Sequence, residues 1–130
     1  MPSTPTTTSS SAPRRGLEIV DRVRALAPSI RAASDEIEKS GRLTEEIVHG
    51  LKSADVFGMA MPEEMGGSEA DPMTQLEVVE TLSIADGSVG WVAMIGSDGG
   101  YYAAHLERSV AEEIYQDRNA VTASTLVPRG

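Results

Sequence analysis

The chain has 130 residues, which is enough for one domain with a modest core. It carries 11 Lys and Arg against 20 Asp and Glu, and its net charge of −9 argues against nucleic-acid and anionic-membrane partners, which need clustered cations. The absence of cysteine excludes disulfides and thiolate chemistry, and the longest apolar run, Val89 to Gly96, is too short for a transmembrane helix. We therefore expect a cytoplasmic protein that does not cross a membrane.

The N-terminal segment differs from the rest in composition. Residues 1–12 are almost wholly Ser, Thr and Pro, and Pro13-Arg14-Arg15-Gly16 follows. Such a stretch cannot bury enough apolar surface to fold, so we predict a disordered tail over residues 1–16. An acid-free, Ser/Thr-rich start with two arginines is also typical of an organelle transit peptide, and that alternative stays open.

Two helices are predicted in the first half of the chain. The first begins at Leu17, where helical spacing predicts one buried stripe, with a kink or two abutting helices at Pro28. Thr44 is a suitable N-cap for the second helix, which we expect to close at Phe57-Gly58. The apolar stripe of the first helix comprises positions 17, 20, 23, 26, 27, 30, 33 and 37.

Two further helices follow a connector. Asp71-Pro72 is a strong start for a third helix, which carries Leu76, Val79 and Leu82 and ends near Asp86-Gly87. Ser88 can cap a fourth helix, which is apolar nearly all round from Val89 to Ile95 and is therefore expected to be central. Its three glycines indicate close packing against the backbone: Gly96, Gly99 and Gly100.

The last predicted elements are a short helix and a strand. Ser109-Val110-Ala111-Glu112 has the spacing of a capping box and starts a fifth helix that ends about Gln116. Residues 120–127 alternate and are rich in β-branched side chains, as in a strand. The fold class is therefore all-α, with a helical domain over residues 17–119 and the start of a β domain over residues 120–130.

No catalytic constellation is visible in the sequence. His49 lies among charged residues and is predicted to be solvated, whereas His105 follows Tyr101-Tyr102-Ala103-Ala104 and is predicted to be packed or interfacial. The acids are scattered and no His-x-x-x-His occurs, so we predict no metal site. The glycines of Gly96-Ser97-Asp98-Gly99-Gly100 lie in or after an apolar helix and not between a strand and a helix, which favours packing over phosphate binding.

Two segments carry a resemblance to a known family. The first is Val56-Phe57-Gly58-Met59-Ala60-Met61-Pro62-Glu63-Glu64-Met65-Gly66-Gly67, and the second is Asp86-Gly87-Ser88-Val89-Gly90-Trp91. In order, spacing and residue type they resemble the N-terminal helical domain of the acyl-CoA dehydrogenase superfamily of flavoproteins. Within it, Ser88-Val89-Gly90-Trp91 is more similar to the flavin-dependent monooxygenases than to the fatty acyl-CoA dehydrogenases.

The resemblance implies a role in a larger, dimeric or tetrameric enzyme. It implies FAD or FMN as the cofactor of the complete protein, a partner flavin reductase and an aromatic small-molecule substrate. The N-terminal domain would form one wall of the substrate and flavin cleft, with the helix matching Ser88 to Leu106. The residues expected on this wall are Trp91, Ser97, Asp98 and Tyr101.

The family's flavin-binding strands, catalytic groups and C-terminal bundle would all lie beyond residue 130, so the chain alone is expected to be inactive. Two alternatives remain: the corresponding domain of an acyl-CoA dehydrogenase, and a stand-alone helical interaction module that buries Trp91, Met94 and Tyr101-Tyr102 in an oligomer. The end Leu126-Val127-Pro128-Arg129-Gly130 resembles the family's transition to the β domain, and it also matches the opening of an engineered thrombin-cleavage linker.

Overall fold

The computed structural model describes residues 12–117 and 120–123, and all regular structure in these ranges is helical. The all-α prediction is therefore confirmed. Residues 120–123, at the start of the predicted strand, have no regular secondary structure, and residues 124–127 lie outside the described part. The helices are α1 (Ala12–Ser40), α2 (Glu45–Ser53), α3 (Pro72–Ala85), α4 (Gly87–Ser97), α5 (Gly99–Ala103) and α6 (Arg108–Ile114), with a 3-10 turn at Glu63–Met65.

The first helix is one continuous element. It begins at Ala12, before the predicted start at Leu17, and it runs through Pro28, so the alternative of two abutting helices is wrong. Pro28 is exposed, where the missing backbone hydrogen bond is least costly. The predicted stripe is largely buried, although Leu17 at its end is exposed. Residues 1–11 of the predicted tail lie outside the described residues.

The start of α2 is as predicted. Thr44 has an extended backbone, and its Oγ1 accepts a hydrogen bond of 3.4 Å from the Ile47 amide. This bond satisfies one of the amide donors that a helix leaves unpaired in its first turn.

The end of α2 lies earlier than predicted, at Ser53 and not at Phe57-Gly58. Asp55 has a φ of 63°, and the Val56 amide donates 3.1 Å back to the Leu51 carbonyl. This is a Schellman-type end, in which Asp55 occupies the left-handed position that glycine usually takes. The chain therefore leaves the helix before Gly58.

An acidic residue begins each of the next two helices. The Asp71 carboxylate accepts hydrogen bonds from the Met73 and Thr74 amides, which confirms the predicted start of α3. The cap of α4 is Asp86 and not the predicted Ser88. Asp86 Oδ1 accepts 2.8 Å from the Ser88 amide and 3.1 Å from the Val89 amide.

The core lies along α1 and α3. Helix α1 packs chiefly against α3, α3 packs against α4, and α2 makes a smaller contact with α1. None of the described helices is both long and apolar enough to span a bilayer. The largest fully buried side chains are Ile19, Ile30, Ile47, Leu51, Met59, Leu82, Val20, Val23, Val56, Val78 and Val89.

Helix α4 is not central among the described residues. Val89 and Ala93 on one side are fully buried, but the side chain of Trp91 is 63 % exposed. The prediction of a central helix is wrong here because α4 packs on α3 with one face and turns an apolar face outward.

Helix α6 starts one residue before the predicted capping box, at Arg108. Its N-cap position is occupied by Glu107, which makes no side-chain capping hydrogen bond. Arg108 Nε instead pairs with Glu112 Oε1 at 2.8 Å, one turn along the helix. The glutamate that would complete a capping box with Ser109 is engaged by this arginine.

Candidate functional site

An open pocket of about 250 Å³ lies between one face of α3 and the junction of α4 with α5. Most of its surface is apolar, and its polar groups come from a few side chains, which is the usual make-up of a small-molecule site. The lining residues are Met59, Pro72, Gln75, Leu76, Val79, Met94, Ser97, Asp98 and Tyr101.

Helix α3 supplies one side of the pocket. Pro72, Gln75, Leu76 and Val79 recur at helical spacing, so their side chains share a face. The sequence placed Leu76 and Val79 on this helix together with Leu82, without separating the faces, and Leu76 is 59 % exposed. The core face of α3 is instead formed by Val78 and Leu82, which are fully buried. Because α3 is apolar on two faces, its sequence pattern could not separate core from pocket.

The opposite side depends on close packing at glycines. A Cβ on Gly96 would lie 2.7 Å from ring atoms of Phe57, and one on Gly100 would overlap the backbone of Ala60. The prediction that these glycines mark close packing is confirmed. Their approach holds the α4–α5 junction against the connector and brings Tyr101 opposite Gln75.

The connector itself is held by main-chain hydrogen bonds. The Ala70 amide donates 2.8 Å to the Met59 carbonyl, and the Glu69 amide donates 3.0 Å to the Met61 carbonyl. Gly66 forms the turn between these segments with a φ of 83°, which an L-residue rarely adopts. The paired segments fix Met59 at the pocket.

The polar side chains of the pocket form a defined network. The Tyr101 hydroxyl donates 2.8 Å to Gln75 Oε1, and Gln75 Nε2 donates 2.7 Å to the Ala70 carbonyl. The Ser97 hydroxyl donates 3.0 Å to the Met94 carbonyl within α4. No described residue hydrogen-bonds or forms an ion pair with the carboxylate of Asp98, which is partly exposed.

Asp71 lies at the edge of the pocket, directly before Pro72. The hydroxyl and amide of Thr74, with a smaller contribution from the Met73 amide, hold the pKa of its carboxyl below the ordinary value of 3.8. This carboxylate is therefore engaged with the start of α3 and is not directed at a ligand.

Three of the four residues predicted for the cleft wall line the pocket: Ser97, Asp98 and Tyr101. Trp91 does not line it; it lies about two turns before Asp98 and is exposed. Gln75 was not among the predicted site residues, although a polar residue three positions after Pro72 on an otherwise apolar face is a usable indication.

The two histidines lie outside the pocket. His49 is exposed, as predicted. His105 is also exposed and not packed against the described residues, and its Nδ1 donates 2.7 Å to the Tyr101 carbonyl. Within the described ranges, no group of three His, Asp or Glu side chains is arranged to hold a metal ion.

Comparison with known proteins identifies the family. Residues 16–117 match the model of the acyl-CoA dehydrogenase N-terminal domain. The chain belongs to this family. It is 37 % identical over 87 residues to an indole-3-acetate monooxygenase of Acinetobacter baumannii, covering 67 % of this chain and 22 % of that protein.

Two further proteins are similar to most of this chain. The oxygenase subunit HsaA of a flavin-dependent monooxygenase from Rhodococcus jostii is 28 % identical over 112 residues, covering 85 % of this chain and 29 % of its own length. The crystal structure of 3-HSA hydroxylase from Rhodococcus sp. RHA1 superposes with a TM-score of 0.76 at 28 % identity, over 80 % of this chain and 28 % of that one. The chain thus spans less than a third of the length of these relatives.

Proposed function

We propose that this chain is the N-terminal domain of a reduced-flavin-dependent monooxygenase and forms one wall of its substrate cleft. The observation that carries the proposal is the pocket between α3 and the α4–α5 junction, in a domain whose relatives include two monooxygenases. An apolar face with a few fixed polar groups suits an aromatic small molecule.

The described residues offer a wall for such a molecule but no cradle for a flavin. The P-loop and Rossmann phosphate cradles place converging backbone amides at a helix N-terminus after a strand, and residues 12–117 and 120–123 contain no strand. We therefore assign flavin binding, whether of FAD or FMN, to the remainder of a longer protein. The flavin supplies the oxygen activation there, and the residues of this chain bind and orient the substrate.

Within this wall we assign Tyr101, Ser97 and Asp98 to substrate contact. All three line the pocket; Tyr101 is exposed, Asp98 is partly exposed and Ser97 is buried. Trp91, on an exposed face of α4, is assigned to contact with a further part of the enzyme and not to the pocket floor.

The proposal includes partners. The Rhodococcus relative is described as the oxygenase subunit of a flavin-dependent monooxygenase. By analogy we expect a separate flavin reductase to supply reduced flavin to this protein, and we expect a cytoplasmic homo-oligomer to be the working form.

The test uses the complete gene product. With flavin, NADH and a flavin reductase under ¹⁸O₂, a panel of phenols and indoles should yield a hydroxylated product that carries one ¹⁸O atom, detected by mass spectrometry. Omitting the reductase is the control and should abolish product. Reduction of bound flavin by an acyl-CoA without reductase or oxygen would instead identify a dehydrogenase and contradict the proposal.

A further inference from the structure

The protons of two hydroxyls that line the pocket are already donated inside the protein. The Tyr101 hydroxyl donates its only hydrogen to Gln75, and the Ser97 hydroxyl donates its hydrogen to the Met94 carbonyl. A Tyr or Ser hydroxyl has one hydrogen and two lone pairs, so what these oxygens still offer a ligand is acceptor capacity.

The orientation of Gln75 is fixed by its two neighbours. A carbonyl can only accept, so the contact with the Ala70 carbonyl identifies the amide nitrogen, and the oxygen faces Tyr101. Its amide retains one further hydrogen. The side chains of the pocket therefore offer a ligand fewer hydrogen-bond donors than acceptors.

Asp98 adds a negative charge to this arrangement. It is the only charged residue among the described residues that line the pocket, and no described residue pairs with its carboxylate. A carboxylate with an open position beside an apolar surface attracts a cation and repels an anion.

We propose that the pocket selects a small planar apolar molecule that carries a protonated amine, with the ammonium group held by Asp98 and the Tyr101 oxygen. The inference rests on the proposed function in taking this pocket as the substrate cleft. Met94, which lines the same pocket and is partly exposed, provides a thioether contact that favours an aromatic ring. A ligand carboxylate in place of the ammonium group would be repelled by the Asp98 carboxylate, and no described residue that lines the pocket carries a positive charge to offset the repulsion.

The inference separates this protein from one of its relatives. The Acinetobacter protein is described as acting on indole-3-acetate, which carries a carboxylate. Despite 37 % identity to that protein, the chain should prefer an indole with a positive side chain over an indole with a negative one.

The test compares tryptamine with indole-3-acetate, which share an indole ring and carry opposite charges. Each is titrated into the ¹⁵N-labelled 130-residue chain, and affinity is read from the amide shifts of Gln75, Asp98 and Tyr101. Tryptamine should bind about two- to fivefold more tightly, as expected for a partly exposed ion pair. The preference should fall as salt is raised, because screening weakens exposed ion pairs.

Two variants, each of which removes one negative charge, test whether the preference for tryptamine depends on Asp98. Asp98→Asn removes the pocket charge at constant shape, and it leaves the helix ends intact because Asp98 makes no side-chain capping bond to α5. It should abolish the preference. Glu38→Gln, at an exposed position of α1, makes the same change in net charge and should leave the preference unaltered.

Three outcomes would each overturn the inference. They are equal affinity for the two indoles, preference for indole-3-acetate, and no shift at these amides with either compound. None of these outcomes bears on the oxygen-incorporation assay, which measures turnover of the complete gene product. The substrate inference and the proposed function can thus fail separately.

Discussion

At the residue scale, Asp86 joins three helices. Its Oδ1 caps α4, it follows the last residue of α3, and its Oδ2 accepts 2.7 Å from the Ser34 hydroxyl on α1. The sequence indicated a helix start here but assigned the cap to Ser88, because Asp and Ser are equally suitable at an N-cap. Ser34 and Asp86 are 52 positions apart in the sequence, so no local sequence pattern could predict their contact.

Replacing Asp86 by alanine should lower the free energy of unfolding by about 1–2 kcal/mol, the usual cost of losing an N-cap. The loss of the acceptor for Ser34 acts in the same direction. Urea denaturation followed by circular dichroism measures the change. The matched control is Ser88→Ala, which should change stability by less than about 0.5 kcal/mol as an ordinary surface substitution. Equal losses in the two variants would refute Asp86 as the cap.

Asp86 should also make stability depend on pH. The Ser34 hydroxyl, helped by the Val89 and Ser88 amides, holds the pKa of its carboxyl below the ordinary value of 3.8. The stabilisation that the Asp86 carboxylate gives the folded protein is therefore fully present when the pH is above 3.8. It is lost as the pH falls through the lower pKa that Asp86 has in the folded state. Asp86→Asn keeps a capping oxygen but cannot titrate, so its free energy of unfolding should fall less between pH 5 and pH 2 than that of the wild type. Parallel curves would contradict this assignment.

At the element scale, the sequence predicted the starts of α2 and α3 correctly but placed the end of α2 too late. Thr44 and Asp71-Pro72 act through amides two or three residues away, so their effect is readable locally. The end of α2 depends on Asp55 adopting a left-handed conformation, which Gly58 would have adopted more easily. Gly58 is instead buried in the connector. The local sequence pattern could not predict this end of α2 because it depends on the tertiary packing of the connector.

The junction of α5 with the connector makes a testable contact. Gly100→Ala would place a Cβ against the Ala60 backbone, which cannot move aside as a flexible side chain can. We expect a loss of about 1–3 kcal/mol from overpacking, together with amide shifts at Tyr101 and Gln75 as their hydrogen bond is strained. Thermal unfolding and the NMR spectrum report the two effects.

Gly87→Ala is the control for that substitution. Gly87 begins α4, and a Cβ there meets nothing within 4 Å. Alanine favours helix over glycine by up to about 1 kcal/mol, so this variant should be unchanged or more stable. If both variants were neutral, the approach of Gly100 to Ala60 would not constrain the fold.

At the scale of the whole molecule, the sequence could not separate burial within the chain from burial against something else. Val89 to Ile95 predicted a central helix, but one side of α4 is open, and exposed apolar side chains continue beyond it at Tyr102 and Leu106. Periodicity records which residues avoid water in the working protein, whatever covers them. The assignment of Trp91 to the cleft wall stays a prediction: Trp91 does not line the pocket, and its apolar character is no guide to which surface it contacts.

Trp91 is the single tryptophan of the chain, so its fluorescence reports on this face directly. In the dilute 130-residue chain, acrylamide should quench it almost as well as it quenches a free tryptophan derivative, because 63 % of the residue is exposed. In the complete gene product, quenching should be severalfold weaker, since the exposed apolar face would be covered. If the short chain already protects Trp91 and loses that protection on dilution, a second copy covers the face. That result would favour the stand-alone interaction module over the wall of a larger enzyme.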